Sequence, residues 1–141
     1  PVFYVPAADR PGLLKVPGSK AGQYEYAEAS SEQVAWLVAD LVFGYEDAYR
    51  RYRERLDRGF APEVARMGLP VGLFSSMYVT CNARSLMAFL QLRTKRAADE
   101  ALFPSKPQYE INLVADAMEA TFAEAMPLTY EAWVKAKRVA P

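Results

Sequence analysis

Arg66, Asn82, Arg84 and Arg93 are the residues of this sequence whose types and spacing invite chemistry. Asn82 and Arg84 stand where an alternating apolar segment gives way to a helical pattern, a junction at which backbone N–H groups point outward together. Cations beside free N–H groups suit an anion, and a strand-to-helix turn is a common place for a phosphate or a cofactor. Arg84 and Arg93 are nine residues apart, which puts them on opposite sides of an ideal helix and suits two ligands better than one. On pattern alone, arginines on a solvated surface are the simpler reading, and an anion site is the sharper one.

Other reactive residue types carry less. The basic run over residues 50–58 is matched by acids four positions earlier, with Glu46 before Arg50, Asp47 before Arg51 and Glu54 before Arg58. That spacing describes the solvated end of a helix with ion pairs and cations complementing the dipole. Cys81 lies on the apolar side of the alternating segment and reads as a small buried hydrophobe rather than a nucleophile. Glu110, Asp116, Glu119 and Glu124 are spread around one helical pattern and form no pair suited to acid/base work. Tyrosines 24, 26, 45, 49 and 52 read as packing.

Composition then excludes whole classes. The 141 residues contain 17 basic and 17 acidic side chains, one cysteine and no histidine. Neutral charge argues against a nucleic-acid binder. Without histidine there is no Ser-His-Asp or Cys-His nucleophile and no histidine metal centre, so no metal site is expected. A single cysteine excludes a disulfide framework and fits a reducing compartment. No apolar run reaches membrane-spanning length and the first residues lack the blocks of a signal peptide, so a soluble cytoplasmic chain with no membrane partner is expected.

The elements that must position these residues follow from pattern. Residues 1–29 are irregular, punctuated by Pro1, Pro6, Pro11, Gly12, Pro17, Gly18 and Gly22, with residues 2–5 as a short edge strand and residues 11–22 as a surface loop. Ser30 and Gln33 form a capping box, the spacing from Val34 to Leu56 is helical, and Gly59 stops a helix over residues 31–58. Pro62 opens a short helix that Pro70 ends. Alternation over residues 73–81 predicts a strand, followed by helices over 84–92 and 108–126 around a polar loop, and a last helix over 130–137 capped by Thr129. One good strand and one doubtful one cannot satisfy their own backbones, so either the strand is overstated or the sheet is completed by chain outside these residues.

The segment Arg66-Met-Gly-Leu-Pro70, the strand, and Asn82-Ala-Arg84 leading into a helix that ends at Arg93 resembles the C-terminal half of the flavin-dependent thymidylate synthases. That family carries Arg-x-x-Leu-Pro, a strand, then Asn-x-Arg and a helix ending in arginine. Ser105 to Ile111 occupies the place of the family's Ser-His-Ala-Gln-like run, Pro127 to Trp133 resembles its closing helix, and Val2 to Pro6 resembles the strand after its signature. The implied fold is α+β, of the thymidylate synthase-complementing type, with residues 1–141 as part of one domain whose mixed sheet is completed by N-terminal chain.

The resemblance implies methylation of deoxyuridine monophosphate at C5, with methylenetetrahydrofolate as one-carbon donor, reduced FAD as hydride source and NADPH as reductant. Carried over by position, Arg66 and Arg93 would bind the pyrimidine nucleotide, with Arg93 stabilising charge on the ring. Asn82, Ala83, Arg84 and position 88 would meet FAD. The family places its sites between subunits of a homotetramer.

Several departures stand out. The signature Arg-His-Arg-x-x-Ser is absent, and Arg51-Tyr52-Arg53 does not replace it because Leu56 falls where its serine should be. Ala88 replaces a polar residue, Lys106 stands where histidine is usual, Ser76 stands where arginine is frequent, and residues 94–104 are extra. The missing signature suggests a fragment. The pocket changes would suit a related branch that methylates uridine monophosphate in nucleoside-antibiotic pathways. A non-catalytic helical interaction module keeping only the fold is the alternative from another class.

Overall fold

A computed structural model describes residues 2–19 and 24–141, and the expectations placed on Pro1 and Gly22 lie outside them. The elements run β1 (Leu14–Lys15), β2 (Tyr26–Ala27), α1 (Ser31–Asp57), α2 (Pro62–Ala65), a 3₁₀ turn (Arg66–Gly68), α3 (Ala83–Arg93), α4 (Tyr109–Ala125) and α5 (Pro127–Lys135). Two compact units emerge. One comprises the residues up to Leu13 with Glu28–Tyr78, and the other comprises β1, β2 and Val79–Pro141.

In the first unit α1 begins and ends as its sequence dictates. The Ser30 hydroxyl accepts from the Gln33 N–H at 3.2 Å, while the Gln33 side chain accepts from the Ser30 N–H at 2.9 Å. These two bonds satisfy donors that the first turn cannot pair internally. At the other end Gly59 takes φ +80°, a left-handed value that costs glycine nothing. Its N–H then reaches the Leu56 carbonyl, and the Phe60 N–H reaches that of Arg55. The pair is a Schellman stop.

The same unit holds residues 2–5 against the chain beyond Pro70. Phe3 and Leu73 form one antiparallel bridge, flanked by Tyr4 N–H to Gly72 O at 2.7 Å and Phe74 N–H to Val2 O at 2.9 Å. Tyr45 of α1 stacks on Phe3 at 4.7 Å, and its hydroxyl donates to the Tyr4 carbonyl at 2.9 Å. A side chain at position 72 would force that tyrosine to shift.

The strand expected over residues 73–81 does not form. Among the described residues only Leu73 forms a bridge, and residues 74–82 have no ladder, with Met77 85% and Tyr78 106% exposed. Alternation marks a segment able to lie in a sheet, but among the described residues no strand lies beside it to accept its hydrogen bonds. Cys81, expected to be buried on that strand, is therefore exposed.

The second unit holds the core. Met87 and Leu90 of α3, Ala115 and Phe122 of α4 and Trp133 of α5 are buried together. Phe122, Tyr130 and Trp133 form an edge-on and tilted aromatic trio with centroids 5.9–6.2 Å apart. The last helix starts at Pro127 rather than at residue 130, and Thr129 lies inside it instead of capping it. Proline supplies a helical φ at the first position, where its missing N–H costs nothing, so α5 follows α4 through Met126 alone. After α5 the chain turns through Lys137 (φ 55°) and Arg138 (φ 59°), both left-handed. The expected loop over residues 11–22 is in part ordered: Leu14 and Lys15 pair with Ala27 and Tyr26.

Candidate functional site

Asn82 caps α3 by accepting the Ser85 N–H at 2.9 Å. The cap leaves the N–H groups of Ala83 and Arg84 in the unpaired first turn. Arg84, Ser85, Ala88, Leu92 and Arg93 are exposed, whereas Met87 and Leu90 are buried. At about 100° per residue, the exposed arc of α3 has Arg84 at one edge and Arg93 at the other, with Ala88 between them. The two arginines thus face different directions, as their spacing requires. Among the described residues no hydrogen bond or ion pair holds the side chain of either.

Arg66 belongs to the other unit. It ends α2 and opens the 3₁₀ turn, and it is exposed. The turn is anchored from α1, where Arg55 donates to the Ala65 carbonyl at 3.1 Å. Gly68 is part of that fit, because a Cβ there would sit 2.5 Å from the Arg55 guanidinium. Arg66, like Arg84 and Arg93, is a cation with no ionic partner among the described residues.

The basic run behaves otherwise. Asp47 accepts from Arg51 at 2.7 Å and also from Arg50, and Arg50 in turn holds Glu54. The expected Glu46–Arg50 and Glu54–Arg58 pairs are replaced, since Arg50 is taken by Asp47 and Glu54. Hydrogen bonds from Arg51 and Arg50 hold the Asp47 carboxyl below its ordinary 3.8.

Sequence reasoning missed a polar cluster beside the core. Glu119 is 4% exposed and accepts from Arg138, from Arg96 at 3.1 Å and from the Tyr130 hydroxyl at 2.9 Å. Asp116 takes a second bond from Arg96 at 2.7 Å. Burial opposes the Arg96 charge, but Asp116 and Glu119 outweigh it and raise its pKa. Burial and then the Glu119 hydrogen bond push the Tyr130 hydroxyl up. The carboxylates of α4 are thus not merely spread around it, although this cluster is a structural knot rather than an acid/base pair. One signal was available: Glu119 sits four residues after Ala115 and three before Phe122, inside the apolar stripe.

The family model for thymidylate synthase complementing protein matches residues 3–128. The chain belongs to that family. A flavin-dependent thymidylate synthase from Streptomyces avermitilis is 49% identical over all 141 residues, which cover 55% of that relative. A crystal structure of the UMP/dUMP methylase PolB from Streptomyces cacaoi, bound with 5-Br UMP, superposes with a TM-score of 0.85 at 43% identity, over 99% of this chain and 60% of that one. Its complex with 5-Br dUMP gives 0.81 at 43% identity, over 99% of this chain and 58% of that one. The chain spans little more than half the length of the curated relative. As a member of that family it shares the α+β fold, and the matched stretch contains Arg66, Asn82, Arg84, Ala88 and Arg93 as well as Glu119. Among the described residues no helix is long and apolar enough to cross a membrane.

Proposed function

We propose that this chain is part of a flavin-dependent enzyme that methylates C5 of a pyrimidine nucleoside monophosphate, converting dUMP to dTMP. The observation that carries the reading is Arg93: an exposed guanidinium at the edge of α3 with no ion pair among the described residues, in a chain alike in fold to a methylase bound with brominated uridine nucleotides. A fixed cation of this kind stabilises the uracil ring as its N3 proton is lost, and it cannot itself be deprotonated. By the family resemblance Arg66 is also a nucleotide ligand in the assembled enzyme.

The start of α3 fits FAD. Among the described residues Arg84 has no partner and the Ala83 and Arg84 N–H groups are unpaired, which matches a pyrophosphate, while Ala88 offers only a small apolar surface. Reduced FAD supplies hydride when bound. Asn82, Ala83 and Arg84 hold and orient it, and Asn82 does so by fixing the helix start rather than by a free acceptor. Methylenetetrahydrofolate is the one-carbon donor and NADPH the reductant, in the cytoplasm. The assembly is a homotetramer with sites shared between subunits. The 27-residue α1, which buries none of its residues while Trp36 and Phe43 lie 66% and 74% exposed, supports that assembly.

A second reading, methylation of uridine monophosphate, rests on the likeness to a UMP/dUMP methylase. The test is tritium release from C5-labelled dUMP and UMP by the purified full-length protein. Yellow protein that releases tritium from dUMP supports the proposal, and faster release from UMP selects the second reading. Colourless protein that takes up no added FAD and releases nothing overturns both. Arg93→Ala should lower kcat/KM about 100-fold.

A further inference from the structure

Arg93 is in the last turn of α3, where helices fray because their final carbonyls lack partners. Something must hold that turn if a guanidinium on it is to keep one place. Thr94, 2% exposed, ends the helix with its hydroxyl donating to the Leu90 carbonyl at 2.7 Å, and its own carbonyl accepts from Ser105 at 3.0 Å. The next residue is gripped from α4: the Lys95 N–H donates to Asn112 Oδ1 at 2.6 Å. Asn112 does not stand alone. Its Nδ2 donates to Asp116 at 2.8 Å, Asp116 is bonded to Arg96, and Arg96 is bonded to the buried Glu119.

We propose that Asn112 is a positioning residue for Arg93, coupling the end of α3 to the Glu119 knot across residues 94–104. The inference rests on the reading of Arg93 as a nucleotide ligand. Asn112 is half-buried and its two side-chain bonds are committed within the protein, so it acts through Lys95 and touches no substrate. Glu119 anchors the relay, but its loss would disturb the core. Asn112 is the link that can be cut while the fold stands. The extra residues 94–104 are then more than a surface decoration. Their first two members carry the bonds that keep the last turn of α3 closed, and displacement of a reacting-site cation by about an ångström is costly.

A double-mutant cycle on the flavin-loaded full-length enzyme tests this, with dUMP affinity read by calorimetry and stability by thermal midpoint. Asn112→Ala should weaken dUMP about five-fold when Arg93 is present and should have no further effect in an Arg93→Ala background. Asn112→Ser, the milder change, should follow the same pattern with a smaller loss. Equal losses in both backgrounds would mean general destabilisation and would overturn the proposal, as would unchanged affinity with Arg93 intact. Arg93→Ala binding dUMP as tightly as the parent would instead remove the nucleotide role of Arg93 itself, and the positioning role with it.

Discussion

Helix α1 and the bundle of α3, α4 and α5 handle their side chains in opposite ways. The longer helix buries none of its residues and is secured by its two caps, by Tyr45 on Phe3 and by surface pairs around Asp47. The shorter three share a core and bury a carboxylate with two arginines beside it. Sequence regularity and tertiary commitment are therefore separate properties. A helix can be fully specified by local signals and still leave its apolar side uncovered, and the difference between the two regions can be measured.

The widest gap should come from the knot. Glu119→Ala leaves two guanidinium groups, one of them almost fully buried, without their carboxylate, and should cost about 4 kcal/mol in urea unfolding. A loss below 1 kcal/mol would mean that the cluster is solvated and the contrast false. Next is the apolar core. Leu90, 0% exposed, should cost about 3 kcal/mol on replacement by alanine, whereas Phe43→Ala on α1 should stay within about 0.5 kcal/mol. Comparable losses would show that α1 is packed as tightly as the bundle. Ser30→Ala, which removes half of the capping box, should cost about 1 kcal/mol and lower helicity at the start of α1.

The smallest effect should be that of Asp47. Its carboxyl is held below the ordinary 3.8, chiefly by Arg51 and then Arg50, so the native state releases its proton more readily than the unfolded chain. The resulting stability is present above that ordinary value and is lost as pH falls through the lowered native one. Because these pairs lie at the surface, with the Asp47 side chain 35% exposed, salt should shrink the difference between parent and Asp47→Asn. A pH dependence that persists at high salt would give α1 a buried ionic contact and blur the comparison.

What could be read beforehand follows the same division. Ser30, Gln33 and Gly59 announce α1 because capping is a local affair, settled within a few residues. The alternation over residues 73–81 was equally visible, yet a strand needs a neighbour, and among the described residues only Phe3 answers, opposite Leu73. Arg66, Asn82, Arg84 and Arg93 were legible as a family pattern, and their exposure and lack of ion pairs are what structure added. The knot was not legible. Glu119 lies 23 residues from Arg96 and 19 from Arg138, and no local rule links positions so far apart. Only the place of Glu119 in an apolar stripe hinted at it.

The left-handed pair Lys137 and Arg138 gives that knot an order of events. The turn brings Arg138 back onto Glu119, and the Lys137 carbonyl accepts from Leu102 at 3.0 Å. During synthesis α3 and α4 leave the ribosome before residue 138, so Glu119 can meet Arg96 before its second cation arrives. The bundle can latch only when residue 138 has emerged and the backbone has entered a conformation that side-chain-bearing residues resist. Its closure therefore waits until residue 138 has emerged, after α1 has been completed.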